Sequence, residues 1–339
     1  MAEYREIQGA AVQSLASSTG TIEGQIWYDN VNGAFKLQAF QAASWASGVN
    51  INTSRSQLAG AGTQTAGLIF GGTPPNSSNP SATNGAKTEQ YDGSSWTEVN
   101  DKNNATRQQS GFGIQTAAVS FGGYSDGAGG YRNITEEWDG TCWAAGNNYP
   151  SSISNGAGGS TGILTAALNV LGYNGTAYTN NTNEYDGTSW TAGGTYPLPQ
   201  GQNGTQFGTL TAAVGVGGFV DPGSSQVTAH YDGSSWTAVN NLPVVANQNG
   251  RCGTQNDGMI YGGNYSTSYS SSSYLYDGTS WTTNPASLST GRSAGGPATS
   301  QGSSSGAFLA GGDLAETTTY AVTEEFNVAG IGTETITTT

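Results

Sequence analysis

An aromatic residue, Asp-Gly, two small residues and Trp recur at nearly fixed spacing, and this repeat restricts the fold more than any other feature. It reads Tyr91-Asp92-Gly93-Ser94-Ser95-Trp96, Trp138-Asp139-Gly140-Thr141-Cys142-Trp143, Tyr185-Asp186-Gly187-Thr188-Ser189-Trp190, Tyr231-Asp232-Gly233-Ser234-Ser235-Trp236 and Tyr276-Asp277-Gly278-Thr279-Ser280-Trp281. A worn copy covers Phe40 to Trp45, and a half copy ends at Phe326. Asp-Gly between an aromatic strand end and a Ser-Trp strand start signals a hairpin, because Gly accepts the positive φ of a tight turn. Each copy therefore predicts two outer strands joined by a short turn.

Upstream of each hairpin an apolar run closes on paired glycines, as in Gly67-Leu68-Ile69-Phe70-Gly71-Gly72 and Ala118-Val119-Ser120-Phe121-Gly122-Gly123. Later copies run over 167–172, 213–218, 259–263 and 307–312, the first of them with Leu171 in place of the first Gly. The Trp residues step through 45, 96, 143, 190, 236 and 281, at intervals of 45 to 51 residues. That is the period of a four-stranded propeller blade, and no helical period competes with it.

The paired glycines followed by a spaced Tyr and Trp resemble a kelch-type repeat, which implies an all-β, kelch-like β-propeller. The phrases Ala59-Gly60-Ala61-Gly62-Thr63-Gln64-Thr65-Ala66-Gly67 and Thr135-Glu136-Glu137-Trp138 are similar to the kelch-like repeats of virion structural proteins from tailed phages of marine bacteria. So is the lead-in Gly24-Gln25-Ile26-Trp27-Tyr28 with Gly33-Ala34-Phe35-Lys36. The repeat resemblance spans roughly residues 25 to 330 and speaks to fold; the phage likeness rests on softer phrases.

Composition agrees with an all-β repeat protein, since 53 of 339 residues are Gly and only 9% are charged. Regularly placed Trp, Tyr and Phe supply the core that a low-complexity chain would lack. A formal charge of −14 with nine basic residues argues against nucleic acid and against an anionic membrane surface. Cys142 and Cys252 read as two free thiols, and no apolar stretch is long enough to span a membrane. The N-terminus has no signal-peptide core, which points to synthesis and retention in a cytoplasm.

The expected organisation is an arm or attachment segment over 1–24, a propeller over 25–330 and a tail strand over 331–339. The Trp45 strand lacks its own first strand, and the blade ending at Phe326 lacks its last. Pairing of residues 44–50 with 322–327 would close a six-blade ring and hide both sheet edges. The hairpin at 25–40 and the alternating tail Thr333-Glu334-Thr335-Ile336-Thr337 leave a seventh blade as the alternative. Loops at 73–86, 124–133, 219–226 and 264–273 all join a second strand to a third and so should emerge on one face, where propellers place binding.

Candidate chemistry is sparse. The single histidine, His230, excludes any site needing two imidazoles, and it fills a slot held by Glu137, Glu184 and Gln90 in other repeats. The repeated Asp before Gly is explained by the turn without a metal. Arg55, Arg107, Arg251 and Arg292 recur in the stretch that leads from each Trp strand into the next blade. They read either as a guanidinium rim for an acidic glycan or partner, or as braces bonding blade carbonyls. Tyr265 and Tyr269, placed irregularly in a long loop, are candidates for a carbohydrate platform. No nucleophile, phosphate loop, zinc spacing or acid pair stands out, so no cofactor, metal or catalytic residue is assigned.

The phage resemblance implies a non-enzymatic virion component, an exposed fibre, tail or capsid-decorating protein made in the host cytoplasm. Its expected partners are other virion proteins through the N-terminal arm and a host surface glycan through the propeller loops, with homo-oligomeric display on the particle. A kelch-fold carbohydrate-active enzyme and an intracellular interaction scaffold of the host remain the alternatives.

Overall fold

The computed structural model describes residues 13–15, 23–74, 85–125, 127, 129–154, 160–197, 203–220, 223–265, 268–293, 295–297, 304–315, 318–319 and 321–336. Most of the expected arm at 1–24, the centre of the loop at 73–86 and the last three residues of the tail lie outside them. The described chain is all β, with one 3-10 turn at Ser304–Gly306. No helix among the described residues is long and apolar enough to cross a membrane. The chain divides into two compact units, residues 45–326 and residues 1–44 with 327–339.

The larger unit holds six four-stranded sheets. The first runs Ala59–Thr63, Ala66–Phe70, Thr88–Tyr91 and Trp96–Val99 in spatial order, each strand antiparallel to the next. Its first two strands are almost wholly buried, whereas its fourth is exposed over Thr97 and Glu98. The glycine-rich first strands explain this burial. A Cβ at Gly60 would fall 2.4 Å from the carbonyl oxygen of Pro297, and one at Gly111 would fall 2.4 Å from the Phe70 ring. Removing the side chain lets neighbouring sheets approach at their narrow ends.

The first strands of the six sheets are Ala59–Thr63, Ser110–Ile114, Ser160–Ile163, Thr205–Thr209, Gly250–Thr254 and Gly296–Pro297. Each packs against the next in this order, and Gly296–Pro297 packs against Ala59–Thr63. The sixth sheet takes its fourth strand from the other end of the chain: Ser44–Ser47 lies beside Thr323–Asn327. The pairing continues as Gly48 N–H donates to the Thr323 carbonyl at 2.9 Å and Ile51 N–H to that of Ala321 at 2.8 Å.

Two side-chain relays join consecutive sheets. Each fourth-strand Trp donates its indole N–H to a Thr hydroxyl at the third strand of the preceding sheet: Trp96 to Thr323, Trp143 to Thr88, Trp190 to Thr135, Trp236 to Thr182 and Trp281 to Thr228, at 2.8–3.1 Å. The aromatic hydroxyl of the third strand reaches the residue before its counterpart. Tyr91 donates to Glu325, Tyr185 to Glu137 and Tyr231 to Glu184, while the Tyr276 hydroxyl meets His230 Nε2 at 2.7 Å. His230 therefore does in its sheet what Glu does elsewhere.

Trp45 is the exception, for its indole nitrogen is buried without a partner among the described residues. The matching position in the fifth sheet is Ser273, whose hydroxyl donates instead to the Ala286 carbonyl at 2.6 Å. Ser273→Thr restores the residue type of the other sheets and offers Trp45 an acceptor. It should raise stability by about 0.5–1.5 kcal/mol, read as a higher midpoint in denaturant; a lower midpoint would show that the added methyl overpacks this site.

Leu171, which stands in a glycine slot, adopts φ 66°, close to the 61–69° of Gly71, Gly122, Gly217, Gly262 and Gly311. It marks a register shift in a strand of eight residues, Ala166–Tyr173. A left-handed Leu costs about 1–2 kcal/mol. Complete burial of its side chain beside Val170, Tyr196 and Ala229 offsets this.

The smaller unit is one four-stranded sheet in the order Gln13–Leu15, Ile26–Asp29, Ala34–Gln41 and Gly330–Thr335, its first pair parallel. The hairpin and the tail thus share one sheet. Trp27 is buried, but Ile26, Tyr28, Phe35 and Ile336 are exposed, and the Tyr28 and Phe35 rings meet edge to face at 5.2 Å.

Candidate functional site

Within the larger unit, the connections between sheets and the turns from second to third strand lie at the same end. Isolated bridges tie them together, Ser56 to Thr73, Arg107 to Tyr124, Ser154 to Tyr173, Asn247 to Asn264 and Ser293 to Asp313. Three of the four loops singled out from the sequence form short ribbons here. These are Tyr124–Ser125 with Gly130–Tyr131, Phe219–Val220 with Gly223–Ser224, and Asn264–Tyr265 with Ser268–Tyr269. The third sheet extends its own strands instead, as Ala166–Tyr173 and Tyr178–Tyr185.

The four candidate arginines do not form an open rim. Arg55 is fully buried; it donates to the Gly71 and Lys87 carbonyls at 2.8 and 2.9 Å and to Glu89 Oε1 at 2.7 Å. Glu89 spends its other oxygen on the Asn52 backbone and side-chain amides. Arg292 repeats this in the sixth sheet, bound to Glu324 Oε1 at 2.7 Å and the Leu309 carbonyl at 3.0 Å. Arg251 lies within the first strand of the fifth sheet and is also buried. Burial pushes its guanidinium down to about 10. All three lie away from solvent, and Arg55 and Arg292 brace their sheets. Arg107 alone is half-exposed, its guanidinium carbon 4.8 Å from the centroid of Tyr124 and its Nη1 donating to Gln57 Oε1 at 3.1 Å.

That contact leads to a feature sequence reasoning missed. Gln57, Gln108, Asn203 and Gln248 occupy equivalent places before the first strands of four sheets, and all have left-handed backbones, φ 54°, 54°, 58° and 55°. Gln108 N–H donates to the Gln57 carbonyl at 2.9 Å, and Gln248 N–H to that of Asn203 at 3.0 Å. The result is a collar of half-exposed carboxamides at the loop end of the first strands. Non-glycine residues in this conformation cost about 1–3 kcal/mol each and gather at functional places. A signal existed: Gln57, Gln108 and Gln248 each lie twelve residues after their Trp.

From Arg107 a row of rings crosses the ribbons of the second, third and fourth sheets. Tyr124 meets Tyr131 at 5.0 Å, Tyr131 meets Tyr173 at 5.4 Å, Tyr173 meets Tyr178 at 4.9 Å and Tyr178 meets Phe219 at 6.0 Å. All five are half-exposed. Gly175 lies against Tyr131, where a Cβ would come within 2.6 Å of the ring, so a left-handed glycine lets the third sheet's turn close over it. The expected pair Tyr265 and Tyr269 lies in a different ribbon, that of the fifth sheet. Tyr265 packs into the fifth sheet's core beside Tyr274, and burial drives its hydroxyl's pKa far up; Tyr269 is half-buried.

Among the described residues no group of three or more His, Cys, Asp or Glu side chains converges as a metal site. The five repeated aspartates cap their own turns. Asp92, for instance, accepts from the backbone N–H groups of Ser94 and Ser95 at 2.8 and 2.7 Å. The Ser94 hydroxyl, with these amides, lowers the pKa of Asp92 to about 2, and bonds of the same kinds lower those of Asp139, Asp186, Asp232 and Asp277. Asp313, beside the sheet-to-sheet bridge, goes the other way, to about 6, because burial disfavours its charge.

These opposite shifts predict a stability maximum on the acid side of neutrality. The folded form holds the Asp313 proton more tightly than the unfolded chain, so stability grows as pH falls from 7 through 6 towards 4, offset in part by His230, whose burial lowers its pKa and withdraws stability over the same fall. Below about 4 the five turn carboxylates, which bind protons less readily when folded, reverse the trend. Melting temperatures across pH 2–8 should trace this dome, and Asp313→Asn should flatten its neutral limb alone. A wild-type profile flat from pH 4 to 8 would contradict the burial of Asp313.

No family profile matches the chain, and no curated protein does. Among solved structures 209 chains match, so the architecture is widely shared and names no activity. One is the structure of YjhT, a kelch-like β-propeller, with a TM-score of 0.64 at 12% identity over 84% of this chain and 99% of that one. The likeness supports a β-propeller fold.

Proposed function

We propose that this chain is a non-enzymatic structural component of a phage particle, an exposed fibre, tail or capsid-decorating protein that attaches through the collar and ribbon end of a closed, six-bladed propeller. The observation that carries the binding reading is the half-exposed collar and ring row, set at one end of sheets whose other recurrent side chains are consumed in holding neighbours together. Blade number and closure are read from the six sheets, from Ser44–Ser47 beside Thr323–Asn327, and from first strands that pack in a cycle. The phage assignment rests on the resemblance of the repeat phrases and lead-in. The exposed apolar side chains Ile26, Tyr28, Phe35 and Ile336 suit the smaller unit to contact with other virion proteins.

Asp313 is the observation favouring a carbohydrate-active enzyme, since a carboxyl near neutrality could serve as a general acid. Glycoside hydrolysis also needs a second carboxylate opposite. Glu89 and Glu324, buried in the first and sixth sheets, are committed to Arg55 and Arg292. Electron microscopy with mass spectrometry of purified particles carrying this gene tests the proposal. Symmetric copies on the particle surface are expected; absence from particles, or glycan turnover by the isolated protein, would reject it.

A further inference from the structure

The geometry points to an uncharged, hydroxyl-rich saccharide as the ligand of the collar and the ring row beside it. This deepens the reading of the chain as a binding protein and names what it binds. Gln108 and Gln248 have half-exposed carboxamides that make no hydrogen bond among the described residues, while their backbones remain left-handed. Gly would take that conformation without strain, and Asn would take it more readily than Gln. Three of the four collar residues are nevertheless Gln, which keeps a long amide at each place despite its backbone cost.

A carboxamide both donates and accepts, as a sugar hydroxyl does, so one amide can satisfy a pair of neighbouring hydroxyls. A carboxylate or phosphate only accepts, and it would leave the amide oxygens unmatched. Three of the cations at this end are otherwise engaged: Arg55 and Arg292 are buried in ion pairs, and Arg107 lies over Tyr124 with Nη1 on Gln57. A net charge of −14 further disfavours anionic ligands, nucleic acid included. Tyr124 and Tyr131, next in the row, offer the apolar ring surface with a polar tip that suits the C–H faces and hydroxyls of a pyranose.

Below the collar, the Gln206 amide is 1% exposed and neither of its polar atoms has a hydrogen-bond partner among the described residues. Buried polar groups are normally satisfied, and an unsatisfied one calls for water or a ligand. Gln206 lies three residues after Asn203, in the first strand of the fourth sheet. Its unused capacity extends the demand for hydroxyl partners inward from the collar.

The test is affinity electrophoresis of the full chain in native gels containing dextran, mannan or alginate. Dextran or mannan should retard the protein and alginate should not. The double variant Gln108→Gly, Gln248→Gly keeps the left-handed backbone and removes both amides. Its melting temperature should be unchanged or higher while retardation falls at least tenfold; Tyr131→Leu should weaken it as well. No retardation by either neutral polymer, retardation by alginate alone, or full retardation of the double variant would each overturn the assignment. None of these outcomes bears on whether the protein is found in particles, so this inference and the virion proposal fail separately.

Discussion

Arg55→Gln should lower the unfolding free energy by about 3–5 kcal/mol, the cost of stranding one member of a buried ion pair. The guanidinium joins the Gly71 and Lys87 carbonyls to Glu89, and its loss leaves a fully buried carboxylate facing emptied space. Glu89 would keep its bonds from Asn52, which are too few to hold its charge in place. Arg292→Gln should behave alike through Glu324. Arg107→Gln, at a half-exposed site with one side-chain hydrogen bond, should cost about 1 kcal/mol or less. Urea titrations of the three variants check the ranking. Equal, small losses would mean that Arg55 and Arg292 are not the braces described.

Deleting residues 1–50 should have the second large effect. It removes Ser44–Ser47 and leaves the strand Thr323–Asn327 as a bare edge. It also removes Trp45, whose ring lies 5.4 Å from Phe326 and 4.8 Å from Tyr261. Loss of these ring contacts from half-buried Trp45 adds to the effect, and the exposed edge adds a route to aggregation. The shortened chain should partition largely into the insoluble fraction. A soluble, monomeric product melting within a few degrees of the full chain would show that the strand contributes little.

The repeat made the sheets legible because its residues act locally: Asp-Gly sets the turn, and paired glycines end the second strand. The pairing of the Trp45 strand with the Phe326 strand was legible too, since each left a repeat incomplete. The arginines were harder. Their spacing is the same whether they face solvent or a buried Glu, and only the fold brings Arg55 to Glu89, thirty-four residues away. The collar escaped because φ is not written in side-chain type when Gln occupies a glycine's conformation. The ring row escaped although Tyr124, Tyr173 and Phe219 each follow a glycine-pair slot at the repeat's own spacing, because only the fold shows that rings from three sheets meet side by side.

Hydrogen exchange at two amides tests the closed ring most directly. Gly48 and Ile51 sit near one end of the chain and donate to the Thr323 and Ala321 carbonyls near the other. If the sixth sheet is shut by the N-terminal strand, both amides should open with the whole larger unit. Their exchange free energies would then match those of central strand amides such as Leu68 and Val119 to within about 1 kcal/mol. Exchange of Gly48 and Ile51 at the rate of a fraying terminus, while Leu68 and Val119 stay protected, would contradict closure.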